Sequence, residues 1–249
     1  MVSSEVTFLR LDIAYDGTGF RGYARQTGLR TVQRELEDAL GTILRADVVT
    51  SVAGRTDAGV HARHQVVSFQ HDDVADLDRM ARSLQGLLGP EIAVLGLTTA
   101  PDDFSARFSA TWRRYRYRID ARPARDPLTR GFVWHVGRPL DLAAMRAAAA
   151  VFVGEHDFSS FCRAVEGKSN IRRLAELSVE ESNGLIDVWA QANAFCHQMV
   201  RSLVGYLYDV GRGFSDGTMA EEVLAAGDRS AVATVAPAHG LTLWEVGYE

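Results

Sequence analysis

The hexapeptide GRTDAG, Gly54 to Gly59, sets Asp57 in a loop bracketed by glycines, with Arg55 two positions ahead of it. Glycines there let a backbone come close to a ligand, and loops on a rigid scaffold are where reactive side chains are displayed. A guanidinium two residues away can orient the carboxylate and keep it ionised. Such a group can attack an electrophilic carbon or stabilise positive charge that develops on one. On spacing alone the plainer reading, an aspartate bonding its own turn, comes first.

A second candidate is RRYRYR, Arg113 to Arg118, where Tyr115 and Tyr117 interleave with arginines. Guanidiniums neutralise phosphates while an aromatic face stacks an unpaired base, the grip used on single-stranded or looped RNA. The competing expectations are a solvated strand face for the arginines and burial for one of the two tyrosines. In FCHQMVRSLVGYLYDVG, Met199, Leu203 and Tyr206 share one helix face and Arg201 falls near the start. Arginine is disfavoured at a helix N-terminus by the macrodipole, so a charged partner is expected, or else a snorkelling surface arginine. YDGTGF, Tyr15 to Phe20, has the D-G-T of haloacid-dehalogenase-type phosphatases. Ala14 stands where their nucleophilic aspartate would be, which removes phospho-aspartate chemistry. The seven histidines show no metal-ligand spacing, and the GxG pieces are too short for a dinucleotide fingerprint.

The elements that must position these groups follow from periodicity. Residues 7–15 alternate as a strand, and Thr31 can cap a helix over 32–45. Strands at 48–53 and 65–70 flank GRTDAGVHA, followed by a helix near 75–88 and a strand near 92–99. After a boundary at 100–105 come a strand through TWRRYRYRID, a helix at 141–152 and the loop GEHDFSSFCR. Strands near 174–181 and 185–193, helices near 196–211 and 218–226, and a last strand in LTLWEVGY complete the chain. This order predicts an α+β protein of two units with mainly antiparallel sheets: 1–105 carrying the Asp loop, and 106–249 carrying the basic and aromatic strand.

Composition narrows the class of function. The 249 residues are 47% hydrophobic and 24% charged, which excludes a disordered, collagenous or membrane-spanning chain. MVSSEVTFLRLD has neither the basic nor the apolar region of a secretory signal. Two cysteines, Cys162 and Cys196, cannot build a disulfide framework and form no zinc-type pair. A cytoplasmic, metal-free protein is expected. The net charge is -5, yet residues 107–125 hold seven arginines against the single acid Asp120. A basic stripe on an acidic protein is the expected footprint of a polyanion site.

Together these stretches resemble the TruA-type tRNA pseudouridine synthases over nearly the whole chain. The resemblance is carried by YDGTGFRGYARQ (15–26), TVQRELEDAL (31–40), GRTDAGVHA (54–62), FSATWRRYRYRI (108–119), HDFSSF (156–161), FCHQMVRSLVG (195–205) and APAHGLTLWEVGY (236–248). Tyr23-Ala24 departs from a common Trp-Gln, Ala238 from a common Pro and Thr242 from a common Tyr; none lies in the Asp loop. The resemblance implies an isomerase converting uridine to pseudouridine at positions 38, 39 and 40 of the tRNA anticodon stem-loop. It implies Asp57 as catalytic carboxylate, Arg55 and Arg201 as its electrostatic partners, and Tyr115 as a contact to the target base. It further implies two α+β domains whose sheets join, a cleft along the seam lined by 107–125, a symmetric homodimer, and no cofactor. An RNA-binding module without catalysis and a related synthase with another RNA target are the alternatives.

Overall fold

The computed structural model describes residues 6–72, 76–163, 167 and 169–248, so residue 75, at the expected start of the second helix, lies outside them. In chain order the strands are β1 (Thr7–Tyr15), β2 (Ser51–Val52), β3 (His61–His71), β4 (Ile92–Thr99), β5 (Trp112–Asp120), β6 (Trp134–His135), β7 (Gly154–Asp157), β8 (Ile171–Ser182), β9 (Leu185–Ala192) and β10 (Leu241–Gly247). The helices are α1 (Val32–Leu44), α2 (Leu77–Leu87), α3 (Leu142–Val151), α4 (Met199–Gly211) and the short α5 (Ala220–Ala225). They form two compact units, Met1–Thr111 with Leu243–Glu249, and Trp112–Thr242. The division falls at 111/112, and the last strand returns to the first unit. No helix among the described residues is long and apolar enough to cross a membrane.

In the first unit β1 forms because Leu9, Leu11, Ile13 and Tyr15 alternate inward, and all four are buried. It pairs antiparallel with β3 on one side and β4 on the other, and β10 and β2 lie along β3. Thr31 caps α1 by accepting from the Arg34 N–H, and Val32, Leu36 and Leu40 make its buried stripe. The strand expected over 48–53 shrinks to β2. At Thr50 the Glu37 carboxylate accepts from both the backbone N–H and the hydroxyl, at 3.1 and 3.0 Å, so a side chain occupies the donors a ladder would use. β3 starts four residues earlier than its apolar run suggests, since Ala62 already pairs with Tyr15 past an irregularity in β1.

In the second unit β5, β9, β8 and β7 run antiparallel in that order, with β6 added parallel to the end of β5. The fold is therefore the expected mixture of helices and mainly antiparallel strands. α3 packs on β8 and on α4. α4 is buried almost all round, and Phe152, Phe158, Phe161 and Tyr206 meet edge to face about its middle. α4 begins at Met199 rather than 196 because Gln198 adopts a left-handed conformation (φ 67°) and the Met199 N–H closes a turn on the Cys196 carbonyl. Cys162 and Cys196 lie side by side, with Cα atoms 5.7 Å apart, where the loop after β7 meets the turn that leads into α4.

Gly205 in α4 lies against the Thr234 carbonyl, which a Cβ would strike. Gly205→Ala is therefore expected to cost about 3 kcal/mol and to lower the melting temperature by several degrees, read by thermal denaturation followed by circular dichroism.

Candidate active site

The Asp57 loop links β2 to β3 and is tied to the framework by its backbone and by the residue before the aspartate. The Gln65 side-chain amide donates to the Gly54 carbonyl at 2.7 Å. Thr56 is held from two sides. Its hydroxyl meets the Tyr15 hydroxyl at 2.8 Å, and its carbonyl accepts from the Tyr23 N–H at 3.0 Å. The turn closes through backbone, Val60 N–H to the Asp57 carbonyl at 3.1 Å, and Gly59 supplies the left-handed conformation it needs (φ 78°). Asp57 is thus carried half-buried on a fixed backbone, with Arg55 exposed beside it.

Segment 15–23 makes this possible. Gly22 (φ 95°) sits so near the loop that a Cβ would lie 3.1 Å from the Thr56 carbonyl oxygen and 3.3 Å from the Ala58 nitrogen. At Gly17 a Cβ would collide with the Val60 carbonyl. Asp16, whose D-G-T setting suggested a phosphatase, has a structural role: its carboxylate accepts from the Thr18 N–H and hydroxyl at 2.9 and 2.6 Å. Partial burial raises the Asp16 pKa, but the Thr18 bonds and nearby His61 outweigh it and hold the carboxyl below the usual range.

In the second unit, alternation along β5 turns Tyr115 and Tyr117 inward. Tyr115 is 7% exposed, with its ring edge-on to Phe195 at 5.1 Å. Tyr117 is wholly buried, donates to the Pro237 carbonyl at 2.8 Å, and has its pKa pushed far up by burial despite the charge of Arg201. Arg201, in the first turn of α4, is cross-tied to the same segment. Its Nε donates to the Ala236 carbonyl at 2.8 Å, and the Ala236 N–H donates back to the Arg201 carbonyl at 3.0 Å. This bonding to main chain explains how an arginine is held at a helix start.

The expected grip of arginines and tyrosines side by side needs correction. A strand sends neighbours to opposite faces, so Arg114, Arg116 and Arg118 point away from Tyr115 and Tyr117, and both tyrosines are buried rather than one. Four arginines of the stripe lie against acids of the same unit. Arg114 makes a fork to Glu176 at 2.9 and 3.0 Å and stacks 4.4 Å over Trp189. Arg118 makes another to Asp187, its cross-strand neighbour, at 2.7 and 2.6 Å, and Arg116 is 4.0 Å from the same carboxylate. Arg122 chelates Asp120, whose carboxyl it holds below the usual range, and the buried Arg113 donates to the Asn193 carbonyl. The stripe over 113–122 is largely an ion-paired sheet face, while Arg125 is exposed.

Sequence reasoning passed over the residues that carry the loop: Tyr15, Gly17, Gly22, Thr56 and Gln65. It also passed over Phe195 and Ala236 beside Tyr115 and Arg201. Available signals were the glycine spacing in YDGTGFRG and a lone glutamine at the head of the apolar run QVVSF. Among the described residues, no group of three or more His, Cys, Asp or Glu side chains is placed to hold a metal ion.

The region from residue 148 to 249 matches the family model described as tRNA pseudouridine synthase. The tRNA pseudouridine synthase A of Streptomyces griseus is 48% identical over 252 residues, covering 96% of this chain and 87% of that protein. The Frankia casuarinae protein of that name is 49% identical over 243 residues, covering 96% and 89%. The one from Cutibacterium acnes is 45% identical over 249 residues, covering 98% and 89%. Likeness at this level across nearly the full length places the chain among the RNA-modifying isomerases. It belongs to the tRNA pseudouridine synthase A family, isomerases that act on tRNA.

Two outcomes follow from the local geometry. Because the Arg118 charge is already answered by Asp187, Arg118→Gln should change tRNA affinity by less than about twofold and leave the salt slope unaltered, against a loss of about one in slope for a lost phosphate contact; filter binding across a salt series measures both. Burial pushes Tyr15 up to about 12, with its Thr56 and Gln65 bonds opposing. The unfolded chain ionises this group near its ordinary 10, so its stabilisation is complete below pH 10. It is lost as pH climbs to about 12, by roughly 3 kcal/mol. Denaturant unfolding at pH 9 and 11 should show the loss, and Tyr15→Phe should reduce it.

Proposed function

We propose that the protein isomerises uridine to pseudouridine at positions 38, 39 and 40 of the tRNA anticodon stem-loop, with Asp57 as the catalytic carboxylate. The observation that carries this reading is the clamped loop: a half-buried aspartate on a backbone fixed by Tyr15, Tyr23 and Gln65. Such preorganisation suits a group that must meet one carbon of a large substrate.

The reaction breaks the C1′–N1 glycosidic bond, turns the uracil over and joins C5 to C1′; the proton on C5 leaves and N1 gains one. The carboxylate acts at C1′, as in retaining glycosidases, or at C6 of the base, or through a glycal. A stem uridine must first be flipped out of its stack. Arg55 and Arg201 are the electrostatic partners of Asp57, and Tyr115 contacts the target base and is the candidate for removing the C5 proton. The same reading carries domains whose sheets join, a tRNA cleft at the seam, a symmetric homodimer and a cytoplasmic setting, with no cofactor.

Tritium release from tRNA labelled at C5 of uridine tests it without added cofactor. Wild-type protein should release tritium, and Asp57→Asn should lower turnover by roughly a thousandfold or more with little change in tRNA affinity. Tyr115→Phe, which keeps the ring, should bind tRNA better than Tyr115→Leu. Normal turnover by Asp57→Asn would sink the mechanism. Binding of tRNA by the wild type with no tritium release would leave an RNA-binding module without catalysis.

A further inference from the structure

We infer that Gln65, Tyr15 and Thr56 are positioning residues for the isomerisation, a buried brace of one amide and two hydroxyls that fixes the backbone on which Asp57 is carried; the inference rests on Asp57 being the catalytic carboxylate.

Gln65 is the clearest member. It is wholly buried, among residues of β3 whose neighbours Val66, Val67 and Phe69 are core. A primary amide there costs free energy that an apolar side chain would not, unless its hydrogen bonds are made. They are made to the Asp57 loop and its support. The amide nitrogen donates to the Gly54 carbonyl at 2.7 Å, where the loop begins, and lies 3.4 Å from the Tyr15 hydroxyl. The amide oxygen accepts the Val66 N–H at 3.3 Å.

Tyr15 passes the constraint on. It ends β1, is 4% exposed, and its hydroxyl reaches Thr56 at 2.8 Å. Thr56 is itself buried and directly precedes Asp57, with its carbonyl already held by the Tyr23 N–H. Side chain and main chain thus grip this residue from two directions, and Gln65 spans from the start of the loop to the hydroxyl that does the gripping. None of the three belongs to the set proposed to touch the substrate. They act through Asp57, and a displacement of about 1 Å at such a group costs about a hundredfold in rate.

The test uses the full chain with tRNA labelled at C5 of uridine, recording kcat, KM, tRNA affinity by filter binding and the melting temperature. Thr56→Val keeps the shape and removes the hydroxyl; Thr56→Ser keeps the hydroxyl; Tyr15→Phe removes one oxygen atom. Thr56→Val and Tyr15→Phe are expected to lower kcat at saturating tRNA about ten- to a hundredfold while the dissociation constant stays within about twofold. Thr56→Ser should recover kcat to within a few-fold of wild type. The inference is overturned by wild-type kcat in folded Thr56→Val and Tyr15→Phe, or by a Thr56→Ser as slow as Thr56→Val. Should Thr56→Val fail to fold, Tyr15→Phe decides alone. Asp57→Asn measured alongside separates the two levels. If it keeps turnover, the assignment of Asp57 falls; if it loses turnover while the brace variants keep theirs, only the brace falls.

Discussion

The first unit depends on two peptide segments meeting backbone to backbone. Segment 15–23 lies directly on the loop of Asp57, and this approach is open only because Gly17 and Gly22 have no Cβ. Once the main chains are that close, the Tyr23 N–H reaches the Thr56 carbonyl and the Tyr15 hydroxyl reaches the Thr56 side chain. The loop then has little freedom left, although it is a short, glycine-bracketed connection of a kind that is otherwise mobile. The conformational entropy of ordering it is met by hydrogen bonds made in a buried setting, where leaving those groups unpaired would cost more.

The second unit uses the same device on a helix. Gly205 lets the Thr234 carbonyl settle on α4, and Arg201 and Ala236 then bond reciprocally through side chain and main chain. Tyr117 anchors the next residue of that segment through Pro237. An arginine in the first turn of a helix opposes the macrodipole. Here its side chain is drawn to a carbonyl on the neighbouring segment, so its place follows from packing rather than from helical preference.

Charge is where linear reading and structure part most clearly. Seven arginines in nineteen residues read as a phosphate-binding stripe, but Arg114 and Arg118 are answered by Glu176 of β8 and Asp187 of β9, 62 and 69 positions further along, and Arg122 by Asp120. Ion pairs across a sheet convert a local excess into a nearly neutral face. For an isomerase acting on tRNA this moves attention from the count of arginines to those, such as the exposed Arg55 and Arg125, whose setting is the surface.

The sequence by itself determined the elements whose pattern is local. β1, α1, β4 and α3 carry their period and caps within their own residues, and their bounds are found within a residue or so of where periodicity puts them. It also determined the family, because GRTDAGVHA and the stretches around it are read without knowing what they touch. Tertiary structure decided whatever required the identity of a distant partner. It cut the strand at 48–53 short, because Glu37 of α1 takes the Thr50 donors. It assigned the last strand to the first unit. It buried both tyrosines of RRYRYR, and it turned Gln65 from a misplaced polar residue into a support for the loop of Asp57. Periodicity records which side of an element is apolar; hydrogen bonds and ion pairs between residues of different elements leave no such period, so they become visible only when the chain is folded.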